Sequence, residues 1–143
     1  MTITLSKDLY TAHATATGGR EGHAATDDGV LDVDLAVPKE MGGPGGATNP
    51  EQLFAAGYAA CFQSALGAVG RRQKVDTSQS TVSTEVTIGV AGEGAFGLRV
   101  GLHVSIPGVG TETAQQLTEA AHKVCPYSVA TRGNIEVALS AEG

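Results

Sequence analysis

The chain has no tryptophan and only three phenylalanines and three tyrosines among 143 residues. Its core must therefore be built from Ala, Val, Leu and Ile, and 20 glycines supply many turns. Basic residues are also scarce: nine Lys and Arg against fifteen Asp and Glu leave a formal charge of −6. Nucleic acid and anionic membranes both select basic surfaces, so neither is an expected partner. No run of about 18 apolar residues is free of polar interruption, and the N-terminus MTITLSKDLY lacks the basic and apolar regions of a secretory signal. The cytoplasm is the expected location. Two cysteines in that compartment point to redox chemistry, metal binding or inert thiols rather than to a permanent staple.

Several catalytic patterns are missing as well. The glycine-rich run Gly18-Gly19-Arg20-Glu21-Gly22 is neither GxGxxG nor a phosphate loop, and no G-x-S-x-G elbow occurs. His122 and Cys125 lie three apart on one helix face, but His13, His23, His103 and Cys61 add no paired zinc-ligand spacing. The sequence calls for no cofactor and no metal.

The longest apolar pattern runs from Asn49 to Arg71, NPEQLFAAGYAACFQSALGAVGR, and is expected to form a helix. Pro50 suits the first helical position, Thr48 or Asn49 can cap it, and Glu51 complements the positive end of the helix dipole. From Leu53 to Phe62 no polar face exists, which predicts a helix enclosed on all sides. Gly57 costs about 1 kcal/mol against Ala in an exposed helix interior, so a neighbour is expected to pack against it.

Before this helix, Asp27-Asp28-Gly29 and the turn TGGREG separate three short antiparallel strands. PKEMGGPGGA, residues 38–47, reads as a loop in which Met41 can line an apolar pocket. After the helix, residues 81–90 and 96–106 alternate with period two around the turn 92–94, a hairpin with one wet face. Ala114, Leu117, Ala121 and Val124 mark an amphipathic second helix that Pro126 stops, and a last strand is expected over 135–139. The fold class is thus α+β with antiparallel sheet, in a single domain spanning 1–143.

Cys61 lies far from the helix start, where the dipole contributes little and apolar burial raises the thiol pKa; to react it needs a cation from elsewhere. Cys125 sits in the last turn of its helix, where a thiolate is disfavoured, and suits a resolving role better than first attack. Two buried thiols that never meet is the competing reading. For Arg20, a solvated loop arginine competes with a guanidinium aimed by its flanking glycines.

Four stretches, TATGGREG at 15–22, VPKEMGGPGGATNPEQLFAAGYAACF at 37–62, VCPYS at 124–128 and ATRGN at 130–134, resemble in order the organic hydroperoxide resistance proteins of the Ohr/OsmC family. Val129 departs from the pattern, standing where a polar residue is expected. The resemblance implies antiparallel sheets wrapped around central helices in an intertwined homodimer. It also implies a thiol peroxidase for organic hydroperoxides. Cys61 would be the peroxidatic cysteine, Cys125 the resolving one, Arg20 the activating cation and Glu51 its carboxylate partner. A Cys61–Cys125 disulfide would be recycled by a dithiol such as a dihydrolipoyl group. The alternatives are an OsmC-type peroxidase with a different peroxide preference and a non-catalytic dimeric binding protein.

Overall fold

The structure is a computed structural model and describes residues 2–143. The chain packs as two compact units, Met1–Pro50 and Glu51–Gly143. The first unit holds an antiparallel meander of β1 (Ala14–Thr17), β2 (His23–Thr26) and β3 (Asp32–Asp34). The two sequence turns make it. In TGGREG a 3-10 turn, Gly19–Glu21, joins β1 to β2. A Cβ on Gly22 would lie 1.8 Å from the Thr17 carbonyl oxygen, so only glycine closes this turn. In the second turn the Asp28 carboxylate accepts hydrogen bonds from Thr26 Oγ1 at 2.7 Å and from the Val30 amide at 3.0 Å. The following loop includes a 3-10 turn, Lys39–Met41, in which Met41 is exposed.

The second unit is formed by helix α1 (Pro50–Gln73), strands β4 (Thr81–Ala91) and β5 (Ala95–Ser105), helices α2 (Thr111–Val124) and α3 (Pro126–Thr131), and strand β6 (Val137–Glu142). The strands pair in the order β4-β5-β6. Period-two alternation sends Val100, Leu102 and Val104 into the core, while Arg99 and His103 face water. The core is completed by Tyr58, Phe62, Leu66 and Val69 of α1 and by Ala114, Leu117 and Ala121 of α2, at the three- and four-residue spacing of a helix face. Two side chains tie α1 to β4 and the segment before it: Thr84 Oγ1 donates to the Ala55 carbonyl at 2.7 Å and Gln63 Nε2 to the Ser80 carbonyl at 2.8 Å.

The α+β class expected from sequence is the class observed, with three refinements. The sheet is mixed, because β6 runs parallel to β5. A parallel neighbour needs a long crossover, which α2 and α3 provide. The last strand begins two residues later than expected, because the Asn134 and Ile135 amides still bond the Thr131 carbonyl at the end of α3. Helix α1 is long and apolar enough, by length and composition alone, to cross a membrane, but core helices share that composition and Tyr58, Phe62 and Leu66 are fully buried here. It is not enclosed on all sides: Ala56 and Ala60 remain exposed in the single chain, because the elements of its own unit cover one flank.

Candidate active site

Cys61 stands near the middle of α1, between the inward-facing Tyr58 and Phe62, and is half-buried. Cys125 is fully buried at the junction of α2 and α3. Its backbone leaves the helical region at φ −62°, ψ 124°, the extended conformation that a following proline imposes. Pro126 then opens α3 as its first residue, a position where the missing N–H is harmless. The kink brings the thiols together: Cys125 Sγ donates to Cys61 Sγ across 3.5 Å, although 64 residues separate them in sequence. Both cysteines are reduced.

Burial pushes the Cys61 thiol above its usual pKa, and the neighbouring Cys125 adds to the shift. The backbone of Tyr127 pulls the other way. The first turn of α3 therefore favours charge on the Cys61 sulfur. The Tyr127 ring also packs on α1, with centroids 6.0 Å from Phe54 and 5.7 Å from Tyr58. It lies over Gly57, where a Cβ would come within 3.2 Å of Tyr127 Oη. The neighbour expected at Gly57 is this tyrosine.

About one turn from the thiols along the backbone lies a chain of polar side chains whose bonding the sequence reading did not foresee. Tyr58 Oη is 2.7 Å from Ser128 Oγ and 3.0 Å from Thr131 Oγ1, and His122 Nδ1 is 2.8 Å from Ser128 Oγ. Arg132 Nη1 donates to the His122 carbonyl. Burial, followed by the positive charge of Arg132, holds His122 below its ordinary pKa. The sequence signal for this chain was the cluster of hydroxyls and His in HKVCPYSVAT, which the proline masked as a simple helix stop.

The other two sequence candidates lie apart from this pair along the chain. Arg20 is half-buried in the 3-10 turn of the N-terminal unit. Glu51 occupies the first turn of α1, about 15 Å along the helix axis from Cys61. The structure thus brings Cys61 and Cys125 into contact. Among the described residues no group of three or more His, Cys, Asp or Glu side chains is arranged to hold a metal ion.

Comparison with known proteins identifies the family. The family model for OsmC-like proteins matches residues 43–140. An organic hydroperoxide resistance protein of Xanthomonas axonopodis pv. citri is 53% identical over 136 residues, covering 94% of this chain and 95% of that protein. The organic hydroperoxide resistance protein OhrB of Bacillus subtilis is 47% identical over 133 residues, covering 92% and 96%. The crystal structure of an organic hydroperoxide resistance protein from Legionella pneumophila superposes with a TM-score of 0.91 at 52% identity, covering 96% of this chain and 100% of that one. With such matches running nearly end to end, the chain belongs to the Ohr/OsmC family and, within it, to the organic hydroperoxide resistance group.

Proposed function

We propose that this protein is a thiol peroxidase that protects against organic hydroperoxides. The observation that carries the reading is the Cys61–Cys125 pair, one thiol half-buried and the other enclosed, at 3.5 Å. The Cys61 thiolate attacks the O–O bond; one oxygen stays as a sulfenic acid and the alkoxide leaves, taking a proton to become the alcohol. Cys125 then attacks the sulfenic sulfur, its proton joins the departing hydroxide as water, and a disulfide forms. An external dithiol, such as a dihydrolipoyl group, reduces that bond and becomes a disulfide itself.

Within its own unit Cys61 is held as a thiol by burial, so the reading needs a cation. Arg20 is the proposed source, with Glu51 orienting its guanidinium. That ion would favour the thiolate and stabilise the leaving alkoxide. The apolar flank of α1 favours alkyl or fatty-acid peroxides over hydrogen peroxide, because each Å² of apolar ligand buried contributes about 25 cal/mol. We further infer a homodimer in one Ohr/OsmC domain spanning 1–143, working in the cytoplasm. Exposed Ala56 and Ala60 on an apolar helix, and exposed Ile3, Leu5 and Leu9 near the N-terminus, support a second copy as the cover.

The test is consumption of an alkyl hydroperoxide and of hydrogen peroxide by the purified protein with dihydrolipoamide. Faster turnover of the alkyl substrate is expected. Equal efficiency with both would overturn the substrate assignment, and no turnover of either would overturn the enzyme reading.

A further inference from the structure

The buried polar chain has a definite relation to the two thiols. Tyr58 precedes Cys61 by three residues on α1, Ser128 follows Cys125 by three on α3, and His122 precedes Cys125 by three on α2. Three residues are close to one helical turn, so each cysteine has a polar side chain about one turn away on an element that adjoins it. These side chains bond one another: Tyr58 Oη to Ser128 Oγ at 2.7 Å, and Ser128 Oγ to His122 Nδ1 at 2.8 Å. Thr131 Oγ1, 3.0 Å from Tyr58 Oη, adds a second grip on α3. Tyr58 and Ser128 are fully buried and Thr131 nearly so.

Apolar side chains of the same volume would fill this space without the risk of stranded polar atoms. A hydroxyl network differs from apolar packing in direction: it fixes the register of one element on another to within a hydrogen-bond length. The register at stake is that of α3, only six residues long, whose first turn follows Cys125 directly and packs the Tyr127 ring on α1 at 5.7 Å from Tyr58. It also governs disulfide formation, in which the sulfurs must close from 3.5 Å to about 2.05 Å without loss of alignment.

We propose that Tyr58 is a positioning residue for the redox pair, its hydroxyl clamping α3 through Ser128 and Thr131 so that Cys125 and the first turn of α3 are held on Cys61. The proposal rests on the peroxidase reading and deepens it. The step it serves is the condensation itself: the Cys125 sulfur bonds the sulfenic sulfur of Cys61, the S–O bond breaks, and the Cys125 proton leaves with the hydroxide as water. Tyr58 touches neither substrate nor reacting atoms.

Three variants test this. Tyr58→Phe removes the hydroxyl and keeps the ring against Phe54 and Tyr127; Thr131→Val removes the second grip at nearly constant volume; Thr131→Ser keeps it. Each reduced protein is mixed with an alkyl hydroperoxide, and sulfenic acid and disulfide are followed separately by dimedone capture and mass spectrometry. Condensation is expected to slow by at least about tenfold in Tyr58→Phe and Thr131→Val, since a misplacement of about 1 Å can cost about 100-fold. Thr131→Ser should restore the rate. Titration of the Cys61 thiolate by ultraviolet absorbance should move upward in Tyr58→Phe, a change that mere loss of stability does not produce in a folded sample. If Tyr58→Phe does not fold, the Thr131 pair decides. Wild-type protein that forms no disulfide overturns the peroxidase reading; wild-type protein that forms one no faster than the hydroxyl-deleted variants overturns the clamp alone.

Discussion

The Tyr127 ring crosses α1 at Gly57, where an added Cβ would stand 3.2 Å from Oη and 3.4 Å from Cε2. Residue 57 lies one turn before Cys61, and the backbone of the same tyrosine lowers the Cys61 pKa. A side chain at 57 thus acts on the thiol through Tyr127. Gly57→Ala removes a helix penalty of about 1 kcal/mol and asks the ring to yield by a few tenths of an ångström, so its stability should stay within about 1 kcal/mol of wild type. Gly57→Val should displace the ring and raise the Cys61 pKa further. Thiolate titration of the three proteins checks this; an unchanged titration in folded Gly57→Val would break the link between ring and thiol.

The thiol assignments separate by single substitutions. Cys61→Ser should abolish peroxide consumption. Cys125→Ser should react once, accumulate a Cys61 sulfenic acid and become prone to further oxidation. Arg20→Ala should leave the fold intact and slow the first step by about 100- to 1,000-fold, the range for losing one donor aimed at developing charge. Intact mass after one equivalent of peroxide distinguishes these outcomes. Oxidation of Cys125 at an unchanged rate in Cys61→Ser would reverse the roles.

The two sulfurs differ in accessibility, and that difference selects where a reductant attacks. Cys125 is enclosed by its own chain, which no partner subunit can undo, whereas Cys61 is half-buried. An external thiolate should therefore bond Cys61 and expel Cys125 as the leaving thiolate. Disulfide-form protein treated with excess glutathione and quenched with iodoacetamide should carry glutathione on Cys61 and the alkyl group on Cys125. The opposite distribution would refute this order.

Much of this arrangement was legible in the sequence, for reasons that differ by element. The period of β4 and β5 and the apolar run of α1 are local patterns, and local patterns survive in one dimension. The direction of β6 is not local: alternation looks the same in parallel and antiparallel strands, and only the α2–α3 crossover decides it. Spacing left open whether Cys61 and Cys125 meet, because their 3.5 Å contact depends on the kink between α2 and α3. The bonds that join Tyr58, Ser128, Thr131 and His122 stayed hidden because Pro126 reads as a stop. Nothing in the sequence says that the chain begins a new helix there and returns its hydroxyls to a tyrosine 70 residues earlier.

The end of α1 contains a residue that its own conformation disfavours. Lys74 sits at φ 60°, with its amide bonded to the Arg71 carbonyl at 3.2 Å and the Val75 amide to the Gly70 carbonyl at 2.8 Å. These are the paired bonds of a helix stop that glycine ordinarily occupies. The left-handed conformation costs a residue with a Cβ about 1 kcal/mol, partly offset by the greater freedom of glycine in the unfolded chain. Lys74→Gly should therefore stabilise the protein by about 0.5 kcal/mol and raise Tm by about 2 °C. Calorimetry measures it, and a lowered Tm would show that the lysine side chain contributes more than the strain removes.

His23 and His122 should titrate on opposite sides of the ordinary histidine value of 6.5. His23 is raised, first by its hydrogen bond to Asp34 at 2.9 Å and then by the charges of Asp32 and Asp34, with Asp32 2.8 Å from its other ring nitrogen. Its contribution to stability is therefore complete below 6.5 and is lost as pH rises through the raised folded value. His122 is lowered, first by burial and then by Arg132. Between its lowered folded value and 6.5 the unfolded chain binds the proton more readily, so His122 subtracts stability as pH falls through that window, and the loss levels off below it. Histidine ring resonances followed by NMR across the neutral range should give a midpoint above 6.5 for His23 and below it for His122. The Ser128→Ala protein should move the His122 midpoint and leave that of His23 in place, because Ser128 bonds only the first of these rings. Coincident midpoints in the wild-type protein would overturn the opposite shifts of the two rings.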